Sequence, residues 1–266
     1  MRQLPANNQY RGDYMSIQLL NMDCMTYMAG LPDKVFDLAI VDPPYGIKRD
    51  KGFKGFEGFG GFGAPIARKQ YKGEWDSSRP DNAYFVELLR VSQQQVIWGG
   101  NFFTDQIPQS NHWVFWDKQN TMPTFGDGEL AWTSFDRNSV KRHILQYNGL
   151  LGREVERIHP TQKPVKLYEW LLINYAKPGQ RILDTHGGSM SIAIACHNLG
   201  YDLTLCELDE DYYKAGVARF EQHKAQGDLF VPDTSRDTYE QTDMLYSAGM
   251  GHNDKLRGDQ QIEGKL

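Results

Sequence analysis

Phe36-Asp37-Leu38-Ala39-Ile40-Val41-Asp42-Pro43-Pro44-Tyr45 is the stretch that decides how this chain is built. Its first six residues are nearly all apolar, the pattern of a strand buried on both faces of a parallel sheet. The next four end it. Two prolines stiffen the backbone where the strand should finish, leaving a carboxylate, Asp42, before them and an aromatic ring, Tyr45, after. The carboxylate and a proline carbonyl can accept hydrogen bonds from an exocyclic amino group. Tyr45 can stack on the face of the ring that carries it. The residues therefore point to a flat, amino-bearing ring.

Working outward, Ser16 to Leu20, Val96 to Trp98, Trp113 to Trp116, Leu130 to Trp132, Arg181 to Asp184 and Leu203 to Cys206 read as further short strands. Helices are predicted over Cys24 to Ala29, Pro80 to Arg90, Pro164 to Ala176, Ser191 to Leu199 and Asp209 to Gln226. Proline stands at the start of two of them, and Pro178-Gly179 and Gly200 close two. This alternation predicts an α/β fold with a doubly wound, mostly parallel sheet. Residues 1–230 read as one domain. Within it, 46–79 form a flexible loop rich in Gly, Phe and Lys, and 135–158 are basic and irregular. Residues 231–266 read as a polar, mobile tail.

At 266 residues the chain is long enough for one large core. No apolar run approaches the length of a membrane span, and the first residues carry no signal-peptide core, so a cytoplasmic location is expected. Three cysteines without C-x-x-C spacing predict neither a disulfide framework nor a zinc site, and no metal is expected. The net charge of −5 argues weakly against a polyanionic partner, but its distribution does not. Basic residues crowd 48–72 and 137–166, while acids gather after Glu207. The two basic segments can form one phosphate-facing surface.

A second motif is Asp184-Thr185-His186-Gly187-Gly188-Ser189, which follows a strand and opens a helix. Glu207 closes the next strand, 19 residues after Gly188. That is the layout of a nucleoside-binding unit, with glycines for close approach and an acid for ribose hydroxyls. It lacks G-x-G-x-x-G, so a dinucleotide is not expected. Asp23, after the first strand, can accept from an adenine amino group of a cofactor or cap a helix.

In this order the motifs Asp23-Cys24, Asp42-Pro43-Pro44-Tyr45, His159-Pro160-Thr161-Gln162-Lys163-Pro164, Asp184 to Ser191 and Glu207 resemble those of the amino-group DNA methyltransferases that use S-adenosylmethionine. The tetrapeptide precedes the cofactor loop, as in the permuted β class. Trp98 to Phe103 and Gly128 to Phe135 are similar to segments of phage and prophage adenine methylases. The resemblance covers roughly residues 16 to 220. It departs at the cofactor loop, where Thr185-His186 replace Pro-Phe and Met190 replaces the last glycine. A lost glycine can close the space that a ligand needs.

The resemblance implies a Rossmann-like S-adenosylmethionine-dependent methyltransferase fold with circularly permuted motif order. It implies methyl transfer to N6 of adenine in double-stranded DNA, with base flipping and direct in-line attack. Asp42, Pro43, Pro44 and Tyr45 would be catalytic. Asp23, Cys24, Asp42, Lys163, Asp184, Thr185, His186, Gly188, Ser189, Glu207 and Leu208 would hold the cofactor. Lys48, Arg49, Lys51, Lys54, Arg137, Lys141, Arg142 and Arg153 would contact DNA, with 135–158 as the target-recognition segment. A homodimer and a cognate restriction endonuclease are further candidate partners. The alternatives are N4-cytosine methylation, methylation of RNA or of a protein glutamine, and a DNA-binding protein without catalysis. Phe53, Phe56, Phe59 and Phe62, set among glycines and lysines, suit a lid over DNA. Deleting residues 52–63 is expected to weaken methylation of duplex DNA while sparing cofactor binding, and unchanged turnover on duplex DNA would remove the lid role.

Overall fold

The computed structural model describes residues 15–47, 76–120, 126–147 and 157–227. The Phe/Gly segment, Lys48, Arg49, Lys51, Lys54, Arg153 and the tail beyond 230 lie outside the described residues. Eight strands run β1 (Ile17–Asn21), β2 (Phe36–Val41), β3 (Ser92–Trp98), β4 (Trp113–Asp117), β5 (Gly128–Thr133), β6 (Val140–Ile144), β7 (Arg181–Asp184) and β8 (Asp202–Glu207). The helices are α1 (Cys24–Ala29), α2 (Asn82–Val91), α3 (Val165–Tyr175), α4 (Ser191–Leu199) and α5 (Glu210–Gly227).

The strands form one sheet in the order β1-β8-β7-β2-β3-β5-β4-β6. Every pairing is parallel except the two made by β5. β2 sits in the middle because its residues can be buried on both sides. Leu38 and Ile40 pack on the side of α3 and α4, with Leu167, Leu171, Ile192 and Ile194. Ala39 and Val41 pack on the side of α1 and α2, with Met28, Phe85 and Leu88. Successive side chains of a strand point to opposite faces, so one apolar run serves both cores. The fold is the doubly wound, Rossmann-like sheet that the alternation of elements predicts.

Strand order reverses between β7 and β2. The chain runs outward from β7 to β8 in one direction and from β2 to β3 in the other. In open α/β sheets the crevice at the carboxyl ends of such a pair is where ligands bind. Here the two motifs singled out above leave the sheet side by side, Asp42 after β2 and Asp184 at the end of β7.

Two expectations need correction. Residues 135–158 are not irregular throughout, because β6 pairs in parallel with β4. β6 is an edge strand, largely exposed and carrying Lys141, Arg142 and His143. Charge on an exposed edge hides the apolar alternation by which strands are read. β3 begins at Ser92 rather than Val96, and its Gln93 and Gln94 conceal the extra length.

The turn after β3 brings backbone close to β5. A Cβ on Gly100 would lie 2.5 Å from the Trp132 Cβ and 2.9 Å from its backbone nitrogen. The Trp132 backbone can yield only by moving β5, and the Trp113 ring closes in at 3.1 Å. Gly100→Ala is expected to destabilise the protein by about 1–3 kcal/mol, read as a lower midpoint in urea unfolding with an unchanged slope.

Candidate active site

The end of β2 is fixed from several directions. The Tyr45 hydroxyl donates to Asp42 Oδ1 at 2.6 Å. Its ring stacks on Phe102, with centroids 4.9 Å apart and planes 16° from parallel. It also lies over Gly99, where a Cβ would fall 2.2 Å from the Tyr45 Cε1. The Gly46 amide donates to Asp76 Oδ1 at 2.8 Å, so the chain returns beside the point where it left. Lys163 Nζ donates to Asp42 Oδ2, lies 3.3 Å from the Tyr45 hydroxyl and 3.3 Å from Glu129 Oε2. Lys118 Nζ in turn donates to Glu129 Oε1. Four charges thus alternate in sign: Lys118, Glu129, Lys163, Asp42.

Beside this network lies a cavity of about 380 Å³. It is walled by Asp23 and Cys24 after β1, Asp42 and Pro44 after β2, His159 and Thr161 to Lys163, the turn Thr185 to Ser189, and Glu207, Leu208 and Tyr212. A second cavity of about 20 Å³ is lined by Asp42, Pro43, Pro44, Tyr45, Asp76, Glu129, Thr161 and Lys163. Asp42, Pro44, Thr161 and Lys163 line both and form the wall between them.

The turn after β7 is built around its glycines. A Cβ on Gly187 would meet the Leu205 side chain at 2.3 Å, and Gly188 has φ +50. The Gly188 amide donates to Glu207 Oε2 at 2.6 Å and the Asp209 amide to Glu207 Oε1 at 2.8 Å. Met190 has the left-handed backbone that suits a glycine, with φ 56. Its side chain is fully buried against Gly216 of α5 and does not line the cavity. The ligand space is therefore not closed by the lost glycine. Thr185-His186 make a polar chain instead of an apolar wall. The Tyr84 and Thr185 hydroxyls lie 2.7 Å apart, and Thr185 Oγ1 lies 2.9 Å from His186 Nδ1.

Of the residues predicted to hold a cofactor, Asp23, Cys24, Asp42, Lys163, Thr185, His186, Gly188, Ser189, Glu207 and Leu208 line the larger cavity. Asp184 sits behind it, its Oδ1 accepting from the His186 amide at 3.0 Å. Asp23 also caps α1, accepting from the Thr26 amide at 2.8 Å, so the capping reading of it holds. Arg137, Lys141 and Arg142 lie away from the cavities. Arg137 packs over Phe135 and Tyr175, Lys141 is exposed on β6, and Arg142 bridges Asp117 at 2.5 Å. Sequence reasoning missed Tyr84, Asp76, Tyr212 and the role of Glu129. Only Glu129 had a signal, its place in the segment Gly128 to Phe135. Among the described residues, no group of three or more His, Cys, Asp or Glu is placed to hold a metal ion.

Residues 101–218 match a protein-family model described as DNA methylase. The chain is 23% identical to the type II methyltransferase M2.MboI of Moraxella bovis, over 70% of this chain and 81% of that one. Among solved structures it matches the PvuII DNA methyltransferase, described as cytosine-N4-specific, with TM-score 0.51 and 13% identity, over 84% of this chain and 90% of that one. It also matches a structure described as the M1.HpyAVI–SAM complex, with TM-score 0.49 and 22% identity, over 76% and 98%. The family match lies within the span of the resemblance read from the motifs, and the fold is shared with the PvuII enzyme.

Burial dominates the electrostatics of the site. It raises the Asp184 carboxyl to about 8, against the His186 amide, which favours the anion. It also raises Glu207, although two backbone amides hold the carboxylate. It lowers His186 to about 4 and His159 to about 3, the latter helped by Lys163 and Arg157. Both imidazoles are neutral at pH 7. Burial pushes the Cys24 thiol up to about 12, so it is no nucleophile. Burial opposes the charge on Lys163, yet Asp42 and Glu129 hold its ammonium above the ordinary range. Asp184 gives a pH prediction. Its folded pKa exceeds the unfolded value of 3.8, so its contribution is full below that value and is lost as pH rises through about 8. Asp184→Asn keeps the acceptor oxygen without the titration. The variant is expected to gain stability over the parent as pH rises from 4 to 8, measured by chemical unfolding across that window.

Proposed function

Taking the chain as a DNA methyltransferase of the N6/N4 kind, we propose that it transfers a methyl group from S-adenosylmethionine to the N6 amino group of adenine in double-stranded DNA. The observation that carries this reading is the position of Asp42, in the wall between a nucleoside-sized cavity and a smaller one. A donor on one side and an amino group on the other would meet at that wall.

The larger cavity fits the methyl donor. Its volume is in the range of small-molecule sites. Glu207 retains acceptor capacity for ribose hydroxyls beyond its two amide bonds. Leu208, 70% exposed, offers apolar surface at the cavity wall. Gly187 and Gly188 keep side chains out of the space. When bound, S-adenosylmethionine supplies a sulfonium methyl, which an amino nitrogen takes by direct displacement, releasing a neutral thioether and one proton.

The chain's own residues have the harder task, because an aromatic amino group is a poor nucleophile. Its lone pair is delocalised into the ring. Asp42 and the Pro43 carbonyl can accept its two N–H bonds, which favours a pyramidal nitrogen with the lone pair free. Pro43 and Pro44 hold those acceptors still. The rate then comes from orientation and fixed charge. No covalent enzyme intermediate is needed, consistent with a protonated Cys24. Tyr45 would stack on a base rotated out of the duplex. Asp rather than Ser before Pro-Pro-Tyr favours adenine over cytosine, and the order of tetrapeptide and cofactor loop argues against the families that methylate RNA or protein glutamine. A homodimer, a restriction endonuclease partner and DNA contacts from Arg137, Lys141 and Arg142 belong to the same proposal.

Modification-sensitive sequencing of DNA from cells expressing the protein tests it. N6-methyladenine in a defined motif is expected, and Asp42→Ala is expected to abolish it. N4-methylcytosine in place of methyladenine would overturn the choice of base. Binding of S-adenosylmethionine without any modification would favour a protein that has lost catalysis.

A further inference from the structure

Asp42 is crowded for a group that must receive a substrate. Tyr45 occupies one of its oxygens and Lys163 the other. An amino group arriving from the small cavity must displace or share one of them. That cavity, at about 20 Å³, holds little more than a water, so the base site has to open before a purine can enter. Lys163 is the partner that cannot simply leave. Its side chain is only 4% exposed, and a buried ammonium without a counter-charge is strongly disfavoured.

We propose that Glu129 is a positioning residue for this reaction: it gives the Lys163 ammonium a second seat, so that Asp42 can release it to accept the target amino group. The idea rests on the function proposed above. Glu129 Oε2 stands 3.3 Å from Lys163 Nζ and lines the same small cavity as Asp42. The reason it can do so is topological. β5 is antiparallel to its neighbours, so its first residues, Gly128 and Glu129, lie at the end where β2 and β3 finish. A parallel strand in that place would carry them to the far side of the sheet. Lys118, just after β4, reaches the same end and anchors the other Glu129 oxygen. Glu129 therefore stays in place when Lys163 moves between its two carboxylates.

The groups facing Lys163 are few. Asp42 and Tyr45 approach from the end of β2, Glu129 from β5, and the Trp98 ring from β3 at 5.4 Å. His159 on its own segment and Asp184 of β7 also feel its charge. Glu129 and Asp42 are the carboxylates bonded to it. Without Glu129, Lys163 would lean wholly on Asp42, and its proton would be held less firmly.

The test compares the full-length protein with Glu129→Gln in single-turnover methylation of a duplex carrying the target motif, between about pH 7 and pH 10. Calorimetry with S-adenosylmethionine and thermal melting run alongside. The variant is expected to bind S-adenosylmethionine within about twofold of the parent and to methylate on the order of 10- to 100-fold more slowly. Its rate should also recover toward the basic end, where the parent stays flat, because losing one carboxylate loosens the lysine's proton and a neutral amine no longer holds Asp42. A parental rate with a flat profile would overturn the proposal, as would a rate loss matched by an equal loss of S-adenosylmethionine binding. A parent that methylates nothing would instead remove the function on which the proposal rests. If Glu129→Gln does not fold, Glu129→Asp replaces it, keeping the charge but drawing the carboxylate back from Lys163. That variant is expected to bind S-adenosylmethionine as the parent does and to methylate more slowly at pH 7. A parental rate would overturn the role assigned to Glu129.

Discussion

The Lys163 ammonium, almost completely buried, is bonded to two carboxylates from different parts of the chain. Asp42 comes from the end of β2, Glu129 from the start of β5, and Lys163 from the segment that leads into α3. A buried ion pair adds little stability compared with apolar packing, but removing one partner is costly because the other is left uncompensated. The consequence is positional. Any arrangement that separates these three segments strands a charge in the interior. The network therefore ties the tetrapeptide to the β5 side of the sheet and to the approach to α3, and it does so at the wall shared by the two cavities. Tyr45, Phe102 and Gly99 then fit around a carboxylate whose place is already set.

The other side of that wall has a different character. Glu207 and Asp184 are carboxyls that burial pushes upward, and His159 and His186 are imidazoles that burial keeps neutral. Backbone amides point at Glu207, and hydroxyls of Tyr84 and Thr185 lead to the His186 ring. In such a low-dielectric space each remaining polar group acts more strongly than it would in water. A cation placed there would be held by few but oriented partners.

Much of this was legible in the sequence because the central elements have only one way to be satisfied. β2, β7, α1 and α4 run over the residues that their patterns predict. The first two are apolar runs cut off by Asp, and the helices begin after a capping or turn residue and end at glycine. The motifs came together because the fold rule for reversing strand order places both strand ends at one crevice. What stayed hidden has physical reasons. β6 is an edge strand whose charges mask its period. Glu129 reaches the site only because β5 runs antiparallel, and direction of pairing is invisible in a single strand. Tyr84 contacts the cofactor turn across 101 residues of chain, and no local pattern marks a tyrosine for that.

Met190 and Gly216 carry one more implication. The loop keeps its left-handed turn without a glycine, a conformation disfavoured for a residue with a Cβ. The side chain gained there fills the space that α5 leaves open at Gly216, where helix propensity alone would prefer alanine. Turn and helix are thus one packing unit: a larger residue at Gly216 would push the Met190 side chain aside, and with it the residue that sets the turn.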